Sequence, residues 1–272
     1  MTQIADDFSP AALARAVKSN LFDFFRYLGR APQTDFREAD GVARWRTPVP
    51  YSWFNGALAA RPAHSGDARL VAEIAADFIE HGTQEFTWWL SPDVSPDAPG
   101  AAWPAILQAG GFRHTEGPPG MAVDLNSLGE FARPGLRIVP VTDAALLREW
   151  TMTFIAGYEV PPDWEPPLFD LLSGFGLDLP VRHYLGYLDD KPVATSDLFL
   201  SAGVAGVQFV STLREARGQG LGAALTLAPL LEAREMGCRI GVLQSSELGF
   251  PVYRRMGFEQ VCQVEHFYWK AA

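Results

Sequence analysis

The segment Arg217-Gly218-Gln219-Gly220-Leu221-Gly222 constrains this chain more than any other. It follows an alternating, strand-like run at residues 206–212 and opens a helix-like run that reaches Ala233. Glycines at such a turn let bare N–H groups approach a phosphate, and the positive end of the helix dipole adds attraction. The bland alternative is a tight strand-to-helix turn that holds nothing. A P-loop requires Lys and then Ser or Thr after its last glycine; Ala223-Ala224 stands there and excludes it. A dinucleotide fingerprint fits Gly218, Gly220 and Ala223, but the next strand ends in Gln244-Ser245 instead of an acid. Antiparallel hairpins also precede the loop, so an NAD-dependent oxidoreductase stays a minor alternative.

The chain has 272 residues, enough for one large or two ordinary domains. Its net charge of -10 argues against a nucleic-acid partner and suits cationic or neutral ones. Cys238 and Cys262 are its two cysteines, and they read as reduced core thiols without a disulfide framework. Asp6 and Asp7 precede the first apolar run, unlike a signal peptide, and no run reaches the roughly 18 apolar residues of a membrane span. A soluble cytoplasmic protein without a membrane partner is the expectation. No histidine spacing suggests a metal site, and His81, His114 and His183 read as caps or surface groups.

Periodicity predicts an amphipathic helix over 11–28, a strand over 51–60 and a helix over 67–80, with Asp67 as its cap and Gly82 as its stop. A strand over 85–90, a loop over 92–100, a helix over 101–109 and a strand over 121–125 follow. Residues 129–135 read as a linker, so domains of 1–130 and 131–272 are expected. The second series has a strand over 136–140, a helix over 143–155, strands over 183–188, 193–200 and 205–212, and the glycine turn with its helix. Pro229 inside that helix should kink it. A strand over 239–244, a helix over 248–256 and one final strand over 259–270 close the chain. Strand, loop, helix, strand, short helix, Gly-Phe and strand recur in both halves, with Gly111-Phe112 and Gly257-Phe258 as counterparts. That order predicts a duplicated α/β (α+β) fold.

The glycine turn after an antiparallel strand is similar to the acyl-CoA pyrophosphate loop of the GNAT acetyltransferase superfamily. The run Ser246-Glu247-Leu248-Gly249-Phe250-Pro251-Val252-Tyr253-Arg254-Arg255-Met256-Gly257-Phe258 resembles that family's closing motif. The resemblance covers about residues 136–270, and the first half resembles a degenerate copy. It implies two GNAT-like halves, each a mixed, mostly antiparallel sheet flanked by helices. It also implies an N-acetyltransferase that uses acetyl-CoA, and no metal, to modify a primary amine of a small molecule or peptide. A non-catalytic CoA-binding or interaction module is the rival, and a homodimer is compatible with either. In the first half the corresponding loop is Arg61-Pro62-Ala63-His64-Ser65-Gly66-Asp67, whose acid would repel a diphosphate, so the second half alone should bind CoA.

Acetyl transfer needs a neutral amine, a polarised thioester and a proton for the departing thiolate. The resemblance places the donor's acyl end along the backbone of Val210, Ser211 and Thr212. Its diphosphate falls on Arg217, Gly218, Gln219, Gly220, Leu221 and Gly222, and its arm on Ser246, where the family commonly has Asn. Tyr253 becomes the candidate acid toward the sulfur, a core tyrosine being the alternative. No general base stands out: Asp197, Glu159 and Gln208 leave the question open, and a water chain is permitted. The segment 158–182 should wall the acceptor site, with Tyr158, Trp164, Phe169 and Phe175 for an apolar group and Glu159, Glu165 and Asp170 for an ammonium. A surface loop with its own small cluster is the alternative there.

Overall fold

The computed structural model describes residues 4–92, 94, 102–129 and 133–271. Helix α1 (Pro10–Leu28) starts at Ser9, whose hydroxyl accepts from the Ala12 N–H, with Pro10 in the first turn. Next come β1 (Asp35–Ala39), β2 (Val42–Arg46), β3 (Asn55–Ala59), α2 (Asp67–Glu80), β4 (Glu85–Leu90), α3 (Trp103–Ala109), β5 (Arg113–Thr115) and β6 (Pro119–Asp124). The second series is β7 (Leu136–Pro140), α4 (Ala144–Tyr158), α5 (Glu165–Ser173), β8 (Val181–Leu188), β9 (Lys191–Ser201), β10 (Val204–Thr212), α6 (Leu221–Glu235), β11 (Ile240–Gln244), α7 (Phe250–Arg255), β12 (Glu259–Gln263) and β13 (His266–Lys270). The expected loop at 92–100 lies almost wholly outside the described residues, as does the middle of the expected linker.

Each half builds a mixed, mostly antiparallel sheet, and the duplicated order is real. One sheet runs β1-β2-β3-β4-β13-β5 and the other β12-β6-β11-β10-β9-β8-β7. Among the described residues only β3–β4 and β10–β11 pair in parallel, and each of these pairs is joined through a helix, α2 or α6. The sequence reading of 259–270 as a single strand is corrected. The run breaks at Val264-Glu265, and its two pieces join different sheets. β13 enters the first sheet between β4 and β5, while β6 enters the second between β11 and β12. A cut near residue 130 would therefore take one interior strand from each sheet.

Strand alternation divides the core. Trp88 faces α2 and α3 with Val71, Phe78 and Trp103. Its neighbour Trp89 faces the opposite side, toward α1. There Phe25 stacks on Trp45 at 4.9 Å and tilts against Trp89 at 5.1 Å. The same helix turns Phe24 toward Phe199 and Phe175 of the second half. So α1 lies between the two sheets, and α6 and α7 cover the far side of the second.

Two elements differ from expectation. The strand expected over 51–60 starts at Asn55, after a 3-10 turn, and pairs with β2 of an unanticipated β1–β2 hairpin. α6 runs unbroken through Pro229, so the loss of one N–H is tolerated inside a buried helix. Among the described residues no helix is long and apolar enough to cross a membrane, and no cluster of three or more metal-ligating side chains occurs.

The two crossing chains meet where Val264 donates to the Pro118 carbonyl. A Cβ added at Gly117 would overlap the Val264 carbonyl oxygen and lie 2.9 Å from His266 Nδ1. Gly117→Ala is expected to cost about 2–3 kcal/mol by forcing the crossing apart. Urea unfolding of the variant with an unchanged midpoint would contradict that account.

Candidate functional site

The site begins where β10 and β11 stop pairing. Their parallel ladder holds Ala205 opposite Gly241 and Gly206 opposite Val242. Beyond it, β10 continues against β9 alone. A bulge follows at once: the register shifts between Gln208, opposite Asp197, and Ser211, opposite Thr195. Phe209 has φ +52°, rare for a bulky residue, and the Thr195 hydroxyl holds its carbonyl at 2.9 Å. The extra residue puts two successive side chains, Gln208 and Phe209, on the α1–α4 side. Val210 returns to the α6 side.

Backbone directions follow from one bond. The Leu213 N–H donates to the Val193 carbonyl in β9. Alternation then points Ser211 to β9 as well, and turns Val210 and Thr212 toward the opened edge. The Thr212 carbonyl there accepts from Arg217 Nε at 3.1 Å. Ser211 is buried with its hydroxyl crowded against Gly157 of α4. Of the three residues expected along the acyl end, Val210 and Thr212 therefore face the open edge and Ser211 does not.

The glycine turn ends at the start of α6. Gly218 and Gly220 have φ +74° and +78°, the left-handed region that suits glycine. A Cβ at Gly218 would meet open space, and one at Gly222 would meet nothing closer than 3.7 Å. No side chain caps α6, so the amides of its first turn, Leu221 and Gly222 among them, are left for a ligand. Arg217 is committed inward: Nη2 donates to the Gly157 carbonyl at 2.7 Å and lies 3.0 Å from Glu159. Gln219 is gripped by Arg133, which donates to both its carbonyl and its Oε1. Arg133 was not anticipated, since its loop lies 86 residues from Gln219. An open, uncapped glycine cradle at a helix N-terminus fits a diphosphate.

Tyr253 sits on α7, 8% exposed, its ring 5.8 Å from Phe258. Burial pushes its phenol pKa up to about 12, while a hydrogen bond with Thr226 pulls the other way. Thr226 in turn donates to the Gly222 carbonyl at 2.8 Å, which brings Tyr253 to the foot of the glycine turn. A threonine one helical turn after Gly222 was the signal available. Ser246 follows β11, and its hydroxyl accepts from the Gly249 N–H at 3.1 Å, keeping its own proton free to donate. Both cysteine thiols are pushed up by burial and stay protonated.

On the other side of the bulge is a cavity of about 190 Å³. Phe24 and Leu21 of α1, Phe154 and Tyr158 of α4, and Phe209 line one part of it. Tyr51, Trp53 and Phe54 close it from the first half, a contribution that no local pattern announces. Trp164 also lines it. Phe169 and Phe175 do not: Phe169 lies under the Arg148 guanidinium and Phe175 packs on Phe24 and Tyr27. Tyr158 keeps half its surface open to this cleft. Surrounding protein nevertheless desolvates its phenol and raises its pKa, helped by the nearby Tyr253 and Tyr51. That proximity links Tyr253 to the cavity.

The acids expected nearby are engaged elsewhere. Glu159 is bound by Arg214, which is the main reason its carboxyl sits below its ordinary range, and by Arg217. Glu165 pairs with Arg148 at 2.6 Å, and Asp170 is exposed. Asp197 is 1% exposed and bonded to His183 Nδ1 at 2.8 Å. Desolvation raises its pKa despite that partner. His183 is fully buried against Trp150, which corrects its reading as a surface group. No carboxylate lines the cavity among the described residues.

The first-half loop is closed by its own charges. Asp67 opens α2, with Gly66 at the N-cap position. Its carboxylate takes two Arg61 bonds at 2.7 and 2.8 Å and the His64 N–H at 2.5 Å. The anion expected at this helix N-terminus is thus built in.

Residues 144–258, all within the second half, match the model of the acetyltransferase (GNAT) family, a family of acyltransferases. Solved structures extend the likeness to both halves. A GCN5-related N-acetyltransferase from Kribbella flavida is 20% identical over 93% of this chain and 96% of its own, with a TM-score of 0.67. A tandem GNAT protein from the clavulanic acid biosynthesis pathway is 16% identical over 99% and 97%, with a TM-score of 0.57. A functionally unknown conserved protein from Staphylococcus epidermidis is 14% identical over 87% and 93%, with a TM-score of 0.63. At these identities the likeness shows the fold, here a tandem pair of GNAT-like halves. No curated protein matches the chain in sequence.

Arg61 is the largest cause of the depressed Asp67 pKa. A carboxyl whose folded pKa lies below its unfolded value, about 3.9, adds stability above that pH and loses it as pH falls through the folded pKa. Asp67→Asn should cost about 3 kcal/mol at pH 7. It should also flatten the fall in stability below pH 4, as read by denaturation at stepped pH.

Proposed function

We propose that this protein is an acetyl-CoA-dependent N-acetyltransferase that acts on a primary amine of a small molecule or peptide, with its single active site in the second half. The observation that carries this reading is the β10 bulge. It sets a donor cradle and an acceptor cavity on adjacent residues of one strand. Phe209 lines the cavity, while Val210 lies 3.9 Å from the position of a Gly222 Cβ.

In this reading the amides of Gly218, Gly220, Leu221 and Gly222 hold the diphosphate, with Arg217 and Gln219 shaping the turn. Thr212 and Ser246 flank the arm, and Ser211 buttresses the strand. The acetyl donor supplies an activated thioester. The Val210 N–H polarises its carbonyl, a preorganised donor aimed at developing negative charge. Tyr253 donates a hydrogen bond to the departing sulfur. A phenol near 12 remains protonated at neutral pH. Complete proton transfer to a thiolate of pKa about 8.5 would be uphill by about 5 kcal/mol, so stabilisation by hydrogen bonding is the favoured role. Cytoplasmic placement is consistent with this substrate chemistry.

Tyr253→Phe should lower kcat about 100-fold while calorimetric Kd for acetyl-CoA changes less than about threefold. Equal losses in both would refute the assigned role. Acetyl-CoA should raise the melting temperature and NAD or ATP should not. Stabilisation by NAD alone would favour the oxidoreductase. Binding of acetyl-CoA with neither transfer nor hydrolysis would favour a non-catalytic module.

A further inference from the structure

The cavity beneath the bulge narrows the acceptor. Phe209 is its hub, with ring centroids 5.7 Å from Phe24, 5.8 Å from Phe54 and 5.3 Å from Phe154, the spacing at which aromatic edges and faces attract. Its polar groups are few: the Tyr51 and Tyr158 phenols, the Trp53 and Trp164 indoles, and the amides of Gln208 and Gln244. Gln208 Nε2 is buried without a hydrogen-bond partner among the described residues, and such an orphan calls for a ligand group or water.

We propose that the acceptor is an amine joined by a short linker to a single six-membered aromatic ring. The ring sits between Trp53, Phe54, Phe154 and Phe209, and the amine lies beside Gln208. This inference rests on the acetyltransferase reading. Size supports one ring: an apolar cavity of roughly 150 Å³ accepts benzene, and this one has about 190 Å³. Chemistry excludes the polar alternatives. An amino sugar or polyamine would surrender its water to mostly aromatic and aliphatic walls that hold no carboxylate to pair with a cation.

The same walls serve the reaction. Desolvation disfavours an ammonium and lowers the amine's pKa, so the nucleophile enters in its neutral form without a carboxylate base. The amine nitrogen attacks the thioester carbonyl carbon, and the C–S bond breaks. The thiolate leaves toward Tyr253, and the surplus proton on nitrogen passes to solvent through the cleft at Tyr158.

The test uses the full chain. With saturating acetyl-CoA, kcat/KM is measured for 2-phenylethylamine, benzylamine, 1-naphthylmethylamine, glucosamine, spermidine and a lysine tripeptide. Separately, calorimetry follows 2-phenylethanol, which cannot be N-acetylated, in the absence of acetyl-CoA. The single-ring amines are expected to exceed the polar amines by about 100-fold or more, with 2-phenylethanol binding and competing. Phe154→Ala should raise the relative rate on the naphthyl amine. Should that variant fail to fold, the wild-type panel decides alone. Preferred turnover of glucosamine, spermidine or the peptide, with no binding of 2-phenylethanol, overturns the ring proposal and leaves acetyl transfer standing. Failure of acetyl-CoA to bind or be consumed overturns both.

Discussion

Everything in this molecule depends on the exchange of two strands. β6 completes the second sheet and β13 completes the first, so neither half owns a finished sheet. Strand pairing at the crossing leaves room only for glycine at 117. Two domains joined by a linker ordinarily hinge, because their interface is small and polar. Here interior strands and α1 join them through one aromatic core, in which Phe25 meets first-half tryptophans and Phe24 meets second-half rings. Rigidity between halves is what allows Tyr51, Trp53 and Phe54 to serve as cavity walls over a strand from the other half.

Against that fixed frame, the β10 bulge organises the chemistry. An undisturbed strand would send Phe209 to the α6 side and Gln208 to the other. The left-handed turn at Phe209 keeps both over the cavity and returns Val210 to the cradle side. A bulky residue in that conformation is strained, by roughly 1–2 kcal/mol, and the rings of Phe24, Phe54, Trp150 and Phe154 around it hold it in place. That strained residue lies where the glycine-turn side of the strand meets the aromatic cavity, and strain of this kind tends to cluster at functional sites.

How much was legible in the sequence follows from how local each signal is. β4 and α2 agree with the periodicity because that rule acts within a turn or two, although Gly66 and not Asp67 takes the N-cap position of α2. The glycine turn was legible for the same reason. The β1–β2 hairpin was missed although Asp40-Gly41, with φ +48° and +67°, carries a hairpin signal. α5 was missed because Pro166 and Pro167 read as loop punctuation, whereas proline also suits a first helical turn. His183 was misread because its partner lies across a hairpin, directly opposite Asp197. The strand exchange and the first-half cavity wall are long-range, and no window of sequence contains both partners.

The two halves then diverge for a single electrostatic reason. Both place a loop at the N-terminus of a helix that follows a parallel-paired strand, a position that favours an anion. In the second half the position is left open by glycines. In the first, Asp67 supplies the anion and Arg61 neutralises it, with Arg61 also over the Trp103 ring. Filling the position internally removes any need for a ligand there while keeping the helix in register with its sheet. The first half keeps its fold without a glycine cradle, because β13 of the second half is threaded through it. Besides β6 and α1, it supplies the aromatic corner at Tyr51–Phe54, which an isolated second half would lack.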